Sequence, residues 1–277
     1  NALYEYTAQA PAAKNPVPAA NESEIEKAAE MILAAEKPYI YSGGGAITDN
    51  AGAEVLALAE KIDAPIGCTM MGISAVPTSN PRWLGMEGMH GHYASSIAQN
   101  EADLIITAGA RFSDRGTGNT AKYARNAKII HIDIDATEFS KHRHQCVNLQ
   151  ADAKKALRSL ICAMGSTPVQ RPRWTERALQ VKASHIRDDD RDCVPIAPQR
   201  VMREINRLID DDTIVTTDVG QNQMWAMHFL DIEKPRRFLS SGTFGTMGYG
   251  LPAAIGAKAA KPDMDVMAIT GDGGLQM

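Results

Sequence analysis

Short apolar segments of strand length alternate with helical patterns along residues 22–164, and this alternation constrains the fold more than any other feature. Strands that are joined by helices pair side by side as a parallel sheet, which needs a layer of helices on each face. The sequence therefore predicts an α/β fold. The strand-like segments are Tyr39–Ser42, Pro65–Thr69, Leu104–Thr107 and Lys128–Ile134.

Apolar residues recur at helical spacing between these segments. The first predicted helix starts at Ser23, because Ser23 and Glu26 have the spacing of a capping box. Pro38 marks the end of this helical pattern. Further helices are predicted at Val55–Ile62 and Asp152–Met164.

The alternation stops in residues 165–197, which hold prolines, a polar helical stretch and the charged run Asp188–Asp192. We interpret this segment as a connector between two domains. Residues 1–21 are rich in alanine and proline and are interpreted as a lead-in or linker. At about 150 residues per domain the chain fits two domains, predicted at 22–164 and 198–277. The second series comprises strands at Thr213–Thr217 and Val266–Thr270 and helices at 198–209, from Gln221 and at 248–259.

Charge and composition exclude several classes of function. The chain has 29 basic and 33 acidic residues and no stripe of lysine and arginine, so we expect no nucleic-acid partner. No apolar run reaches the roughly 18 residues that cross a bilayer, and no signal peptide is recognisable, so we expect a cytoplasmic protein without a membrane partner. The cysteines lack C-x-x-C spacing, which predicts neither a disulfide framework nor a zinc site.

Glycine clusters follow two of the predicted strands, where the backbone can approach a phosphate and helix N-termini present free N–H groups. In the first cluster, Gly43–Gly45, Thr48 occupies the third glycine position of G-x-G-x-x-G, and Asp63 precedes a strand instead of ending one. A nicotinamide site is therefore disfavoured. The cluster either contacts a phosphate or only makes a tight turn.

The second cluster is Gly271-Asp272-Gly273-Gly274, after the last predicted strand. A carboxylate between glycines can ligate a hard cation while neighbouring N–H groups bind a diphosphate. This pattern predicts a magnesium and diphosphate site, although an aspartate that caps a helix in a turn has the same spacing.

Charged residues and one histidine lie where other strands end. Arg111 and Arg115 would bind a phosphate or carboxylate, or would form a surface ion network. Asp133 and Asp135 would accept hydrogen bonds from a ligand or cap a helix. His90 lies in a glycine-rich loop and would either line a flat cofactor or be structural.

Three stretches of the second half are specific enough to indicate a family. They are Gly220–Ala226 (GQNQMWA), Ser241–Gly256 (SGTFGTMGYGLPAAIG) and Gly271–Gly273 (GDG). With them, most of residues 22–277 resembles the catalytic subunit of the acetohydroxyacid synthase (acetolactate synthase) family of thiamine diphosphate enzymes. The resemblance implies a doubly wound parallel-sheet middle domain, followed by part of a second α/β domain that binds thiamine diphosphate.

The resemblance also implies roles for residues of the second half. Asp272 would bind the Mg²⁺ that anchors the diphosphate. Met247 would hold the cofactor in its bent form, and the Gly245 carbonyl would accept a hydrogen bond from the aminopyrimidine, so both are expected to serve catalysis. Gly273 and Gly274 would face the phosphates, and Gln221 would contact the diphosphate end. The further residues expected to bind the cofactor are Gly220, Asn222 and Gly271.

The first half is similar to the FAD-binding middle domain of that family. Arg115 would also hold the carboxylate of a second 2-keto acid, which gives it an expected catalytic role. The arginine segment favours the FAD-containing enzyme over catabolic acetolactate synthases, which lack FAD. The residues that the resemblance places along FAD are Gly43, Gly44, Gly45, Thr69, Met70, Gly88, Met89, His90, Gly91, Gly109, Arg111, Arg115, Asp133, Ile134, Asp152 and Ala153.

The activity implied is decarboxylation of pyruvate and addition of the product to a second pyruvate or to 2-ketobutyrate, in a homodimer or homotetramer with or without a regulatory subunit. Two residues depart from the family pattern and affect the substrate assignment: Asn222 stands where histidine is common, and Ser113 where aspartate is frequent.

The resemblance further implies a fragment that is inactive alone. The pyrimidine-binding domain with its activating glutamate would precede residue 1, and an asparagine that completes the magnesium site would follow Met277. Two alternatives stay open. One is another FAD-containing thiamine diphosphate enzyme, such as glyoxylate carboligase or pyruvate oxidase, and the other is a module that only binds a nucleotide or supports a dimer.

Overall fold

Two parallel sheets organise the residues that the computed structural model describes, which are 17–141, 146–185 and 193–277. The strands are β1 (Pro38–Ser42), β2 (Ile66–Cys68), β3 (Trp83–Met86), β4 (Leu104–Ala108), β5 (Lys128–Asp133), β6 (Cys146–Gln150), β7 (Ile214–Thr217), β8 (Phe238–Ser240) and β9 (Val266–Ile269). The first sheet has the order β3-β2-β1-β4-β5-β6, and the second has the order β8-β7-β9.

Helices connect these strands and cover the sheets. In the described ranges, every helix is too short or too polar to span a bilayer. The helices are α1 (Glu22–Ala34), α2 (Gly44–Thr48), α3 (Gly52–Ile62), α4 (Tyr93–Glu101), α5 (Asp114–Thr117), α6 (Ala153–Ala163), α7 (Pro172–Ser184), α8 (Pro198–Leu208), α9 (Gln221–Phe229), α10 (Gly250–Ala260) and α11 (Asp272–Gln276).

The strand order of the first sheet reverses beside β1. The chain moves outward from β1 through β2 to β3, and then returns to place β4 on the other side of β1. In doubly wound sheets, ligands bind in the crevice that such a reversal opens at the carboxyl ends of the strands. The predicted doubly wound α/β fold is therefore confirmed, and its crevice lies after β1 and β4.

Two hydrophobic clusters cover opposite faces of the first sheet. One contains Ile106 with Leu58 of α3 and Leu157 of α6. The other contains Ile105 with Trp174 of α7. Because Ile105 and Ile106 are neighbours on β4, their side chains point to opposite faces. Burial on both faces explains why the central strands are almost wholly apolar.

The first predicted helix is present, but the predicted capping box of Ser23 and Glu26 was wrong. The N-cap is Asn21, whose Oδ1 accepts a hydrogen bond from the Ser23 backbone N–H at 3.0 Å. Ser23 lies inside α1. An asparagine just before the helix satisfies a free amide of its first turn, which leaves Ser23 no capping role.

Part of the segment interpreted as a connector packs against the first sheet through α7. Trp174 is buried, and its Nε1–H donates to the Pro38 carbonyl at 2.8 Å. The guanidinium of buried Arg171 donates to backbone carbonyls at the ends of α1 and α3. The charged run Asp188–Asp192 and residues 1–16 lie outside the described residues.

We call β1–β6 with α1–α7 the first unit, and β7–β9 with α8–α11 the second unit. The Ile232 N–H donates to Thr78 Oγ1 at 2.9 Å, and the Thr78 N–H donates to the Ile232 carbonyl at 3.1 Å. Glu233 Oε1 accepts from the Ser79 N–H at 3.0 Å. These contacts tie the loop before β8 to the loop before β3, so the two units are held together.

Candidate functional site

Asp218 organises the carboxyl end of the second sheet. It follows β7 directly and is 0% exposed. Its Oδ1 accepts from the N–H groups of Val219 and Gly248 at 2.7 and 3.0 Å, and its Oδ2 accepts from the Gly250 N–H at 2.9 Å. Burial alone would raise the pKa of Asp218, but these donors hold that pKa below its ordinary value. Asp218 is therefore a buried, ionised anchor for the loop that leads into α10.

The same carboxylate fixes the glycine cluster after β9. A Cβ on Gly274 would lie 2.5 Å from Asp218 Cγ, and a Cβ on Gly250 would lie 2.8 Å from the Asp218 backbone nitrogen. Both positions need glycine because a side chain would displace the anchor. Asp218 thus brings the loop Gly245–Gly250 and the start of α11 to one place.

Other glycines of this site leave space open. Among the described atoms, a Cβ on Gly271 would meet nothing within 4 Å. A Cβ on Gly273 would meet Met247 Cε at 3.8 Å, and one on Gly245 would meet Val219 Cγ1 at 3.9 Å. The first amides of α11 have no acceptor within the helix. This open glycine surface is a cradle of the kind that a diphosphate fits.

Asp272 is exposed at the first position of α11, beside this cradle. In the part of the chain that the structure describes, no group of three or more histidine, cysteine, aspartate or glutamate side chains could hold a metal ion, and the four cysteines are free. Mg²⁺ takes oxygen ligands and shares many of them with phosphates. The Asp272 carboxylate therefore suits a Mg²⁺ that is bound together with a diphosphate.

Helix α9 starts at the same end of β7, with Gly220 as its N-cap. Gln221 is exposed there. Asn222 is 9% exposed, and its Nδ2 donates to the Ile269 carbonyl at 2.9 Å. The side chain of Asn222 thus joins α9 to β9, whereas that of Gln221 is available at the edge.

In the first unit, the residues that the resemblance places along FAD lie at or just after the carboxyl ends of its six strands. They are Gly43–Gly45 after β1, Thr69 and Met70 after β2, Gly88–Gly91 after β3, Gly109–Arg115 after β4, Asp133 and Ile134 at the end of β5, and Asp152 and Ala153 after β6. The parallel sheet therefore brings all of these segments to one edge.

Close backbone packing accounts for the glycines at the strand-order reversal. A Cβ on Gly43 would lie 2.1 Å from the Gly109 carbonyl oxygen, and a Cβ on Gly45 would lie 2.6 Å from Gly109 Cα. Gly109 itself has a φ of +63°. The tight-turn alternative thus explains Gly43 and Gly45 without a ligand.

Two arginines lie exposed after β4. Within the described residues, neither Arg111 nor Arg115 forms an ion pair, and Asp114 Oδ1 instead accepts from the Arg115 backbone N–H at 2.9 Å. The surface ion network considered above is therefore not formed there. The Arg115 carbonyl accepts from the Met89 N–H at 2.9 Å, and a Cβ on Gly88 would lie 2.7 Å from that oxygen. The arginine loop and the Gly88–Gly91 loop form one continuous surface.

The rest of this edge offers a carboxylate and apolar side chains. Asp133 is buried, which raises its pKa, and its Oδ1 accepts from the Asp135 N–H at 2.9 Å. Met71, Met89 and Ile134 are exposed large apolar residues. Cationic, carboxylate and apolar side chains therefore lie along the same edge of the sheet.

A cavity of about 370 Å³ lies between the two units. This volume lies within the usual range of small-molecule pockets. One wall comes from the Gly88–Gly91 loop and the other from α8 and α9, so both candidate sites contribute to it. Its lining residues are Met89, His90, Gly91, Gln199, Gln221, Met224, Trp225, His228 and Phe229.

Comparison with protein families agrees with this division into two sites. The family model "Thiamine pyrophosphate enzyme, central domain" matches residues 25–160. The family model "Thiamine pyrophosphate enzyme, C-terminal TPP binding domain" matches residues 218–277. The chain belongs to the thiamine pyrophosphate enzymes. The second match begins at Asp218, the anchor of the glycine cradle.

Curated relatives carry the name acetolactate synthase. The chain is 45% identical over 261 residues to a "Probable acetolactate synthase large subunit" of Methanocaldococcus jannaschii. The aligned region covers 92% of this chain and 44% of the relative. It is 42% identical over 277 residues to the "Acetolactate synthase isozyme 1 large subunit" of Escherichia coli, covering 100% of this chain and 49% of the relative. The chain thus spans about half the length of these relatives.

Sequence reasoning missed three residues of this region. Asp218 directly follows the predicted strand Thr213–Thr217, and this placement was the available signal. His92 and His228 meet across the two units, and no spacing in the sequence indicates that contact.

Proposed function

We propose that this chain is part of an acetolactate synthase large subunit, which decarboxylates pyruvate and joins the two-carbon product to a second pyruvate or to 2-ketobutyrate. The observation that carries the proposal is the open glycine cradle that Asp218 anchors beside the exposed Asp272 carboxylate. The names of the curated relatives support the choice of reaction.

Thiamine diphosphate, when bound, supplies an electron sink for the decarboxylation. Asp272 would hold the Mg²⁺, while the amides around Gly273 and the side chain of Gln221 would bind the diphosphate. Met247, which is 46% exposed, would pack against the cofactor and hold its shape. The Gly245 carbonyl would accept the hydrogen bond that orients the aminopyrimidine.

We further propose that FAD binds along the carboxyl edge of the first sheet. Arg111 and Arg115 would bind its phosphates, and Arg115 would also hold the carboxylate of the second 2-keto acid. Both guanidiniums are exposed and form no ion pair within the described residues, which leaves them available for an anion.

In the full-length parent protein, Arg111→Ala and Arg115→Ala are each expected to weaken FAD retention. Each substitution removes charge-assisted hydrogen bonds worth about 1.5 to 3 kcal/mol. Flavin absorbance after purification measures the occupancy. Arg177→Ala is the matched control, because Arg177 is a surface residue paired with Glu101 on α4. Unchanged flavin occupancy in both test variants would overturn the arginine role.

Asp272→Asn in the full-length parent is expected to abolish magnesium-dependent binding of thiamine diphosphate while FAD stays bound. A neutral amide is a poor ligand for Mg²⁺, and the two cofactors would occupy different sheets. Calorimetric titration with and without Mg²⁺ measures the loss. Asp263→Asn, at another exposed carboxylate of the second unit, is the control. If Asp272→Asn keeps the same magnesium dependence, Asp272 is not the ligand.

The whole activity is tested on the full-length parent with pyruvate alone, with pyruvate and 2-ketobutyrate, and with glyoxylate. Acetolactate formation supports the proposal, preferential condensation of glyoxylate indicates a glyoxylate carboligase, and oxidation of pyruvate indicates an oxidase. Bound flavin without any turnover of 2-keto acids indicates a nucleotide-binding or scaffolding module. We also expect a cytoplasmic homodimer or homotetramer, with or without a regulatory subunit, and gel filtration would test the oligomeric state.

A further inference from the structure

His92 and His228 form a contact between the two units beside the cavity. Their rings stack with centroids 4.3 Å apart and an interplanar angle of 23°. His92 is the N-cap residue of α4 in the first unit, and His228 lies near the end of α9 in the second. The contact therefore joins the two walls of the cavity.

Hydrogen bonds fix the role of one nitrogen in each ring. The Met86 N–H donates to His92 Nδ1 at 3.0 Å, so this nitrogen carries a lone pair and no proton. His228 Nε2 lies 2.7 Å from the His90 carbonyl oxygen, to which it donates. A proton on His92 Nδ1 would face the Met86 N–H, which is also a donor, so the hydrogen bond from Met86 would be lost.

The position of the His92 ring is built by its surroundings. Gly85 of β3 has a φ of +101°, and a Cβ there would lie 2.3 Å from His92 Cγ. The Trp83 ring meets His92 edge-on at 5.4 Å. The ring thus fills a space that a glycine keeps open, which makes it an integral part of the interface.

The titratable groups packed around His92 come from three elements. Strand β3 has none, α9 offers only His228, α7 offers Lys182, and the adjoining loop offers Glu87 and His90. Burial is the largest cause that lowers the pKa of His92 to about 4, and the electrostatic effects of His228 and Lys182 act in the same direction. The surroundings of the ring disfavour its charged form.

We propose that His92 and His228 are positioning residues, which hold the Met89–Gly91 wall of the cavity against α9 only while the His92 ring is neutral. Protonation of His92 would break the hydrogen bond from Met86 and place a positive charge against the stacked His228 ring. The inference concerns the protein wall alone and holds whichever cofactor the cavity takes.

The expected pH dependence follows from linkage. The pKa of His92 is about 4 in the closed contact and 6.5 when the ring is free, so the open form binds more protons between these values. The contact is at full strength above about pH 6.5 and weakens as the pH falls toward about 4. The equilibrium constant for opening of the contact should increase about thirtyfold as the pH falls from about 7.5 to about 5.

Amide hydrogen exchange of the 277-residue chain measures this opening, after correction for the intrinsic pH dependence of exchange. The reporters are the amides of Met89, Gly91 and His92, which donate to the carbonyls of Arg115, Gly88 and Met86. Their protection should fall about thirtyfold between those two pH values. Amides of the β4–β5 ladder report global unfolding, and comparison with them separates local opening from a pH-dependent change in global stability.

Substitutions separate the two rings. His92→Asn keeps an acceptor oxygen for the Met86 amide but cannot titrate. The protection of the reporter amides in this variant should therefore not depend on pH. His228→Gln keeps a donor for the His90 carbonyl and should be protected like the wild type near neutral pH, whereas His228→Ala should not. His185→Gln, at a ring that stacks on α4 instead, is the control and should keep the wild-type profile.

Two results would overturn the proposal: a wild-type pH profile in His92→Asn, or equal protection in His228→Ala and His228→Gln. Circular dichroism checks that each variant is folded. If His92→Asn fails to fold, the wild-type pH profile and the comparison of the two His228 variants decide the matter.

Discussion

Asp218→Asn is expected to destabilise the second unit strongly and to abolish thiamine diphosphate binding there. The buried carboxylate accepts three backbone N–H groups, and an amide would turn its NH₂ donor against at least one of them. Each charge-assisted bond is worth about 1.5 to 3 kcal/mol, and a buried donor left unpaired adds to the loss. The free energy of unfolding should fall by about 3 kcal/mol or more, as measured by urea denaturation of the chain.

Comparison with Asp272→Asn separates an anchor from a ligand. As the proposed Mg²⁺ ligand, Asp272 is needed for magnesium-dependent binding of thiamine diphosphate, so its substitution should remove that binding. Because Asp272 is exposed, the substitution should leave the unfolding free energy nearly unchanged. Asp263→Asn should change neither property. If Asp218→Asn is as stable as the wild type, the carboxylate does not anchor the loop before α10.

In the first sheet, the strands that sequence reasoning predicted are those with a neighbouring strand on each side, whereas β9 was predicted although it is an edge strand of the second sheet. In the first sheet, β4 and β5 lie inside and read as apolar runs, so their location was clear. Strand β6 was missed because it is an edge strand whose residues alternate between buried and partly exposed. Strand β3 was missed because Gly85 interrupts it, and the short edge strand β8 was missed as well.

The position of the candidate sites could be predicted, but not their internal contacts. Glycines and charged residues after strands indicate the binding edge, because the carboxyl ends of parallel strands meet there. Asp218, however, acts on amides 30 and 32 residues further along the chain. His228 reaches a carbonyl 138 residues earlier. Such partners depend on how the two units pack, which local spacing does not encode.

Glu87 carries a buried carboxyl group directly before the Gly88–Gly91 loop. The residue is 5% exposed, and its Oε1 accepts from the Tyr123 hydroxyl at 2.7 Å. Its Oε2 has no hydrogen-bond partner among the described residues. Burial raises the pKa of Glu87 to about 8, and the hydrogen bond from Tyr123 opposes this shift only partly. The folded protein therefore keeps this group protonated at neutral pH.

Glu87→Gln is expected to stabilise the protein increasingly as the pH rises. Between about pH 4.5 and about pH 8 the folded wild type holds a proton on Glu87 that the unfolded chain releases, so wild-type stability falls with pH. Glutamine keeps an acceptor for Tyr123 and does not titrate. The difference in unfolding free energy between variant and wild type should grow by up to about 1.4 kcal/mol per pH unit in this window.

Urea denaturation at about pH 5, 6.5 and 8 measures this difference. Burial lowers the pKa of His92 and of His131 to about 4, which gives wild-type stability an opposite slope below about pH 6.5. Both histidines are also present in the variant, so subtraction leaves the contribution of Glu87. Glu60→Gln, at an exposed carboxylate on α3, should show no such trend. A difference that stays constant across this range would mean that Glu87 is already ionised in the folded protein, and that its orphan oxygen has a partner that stabilises charge.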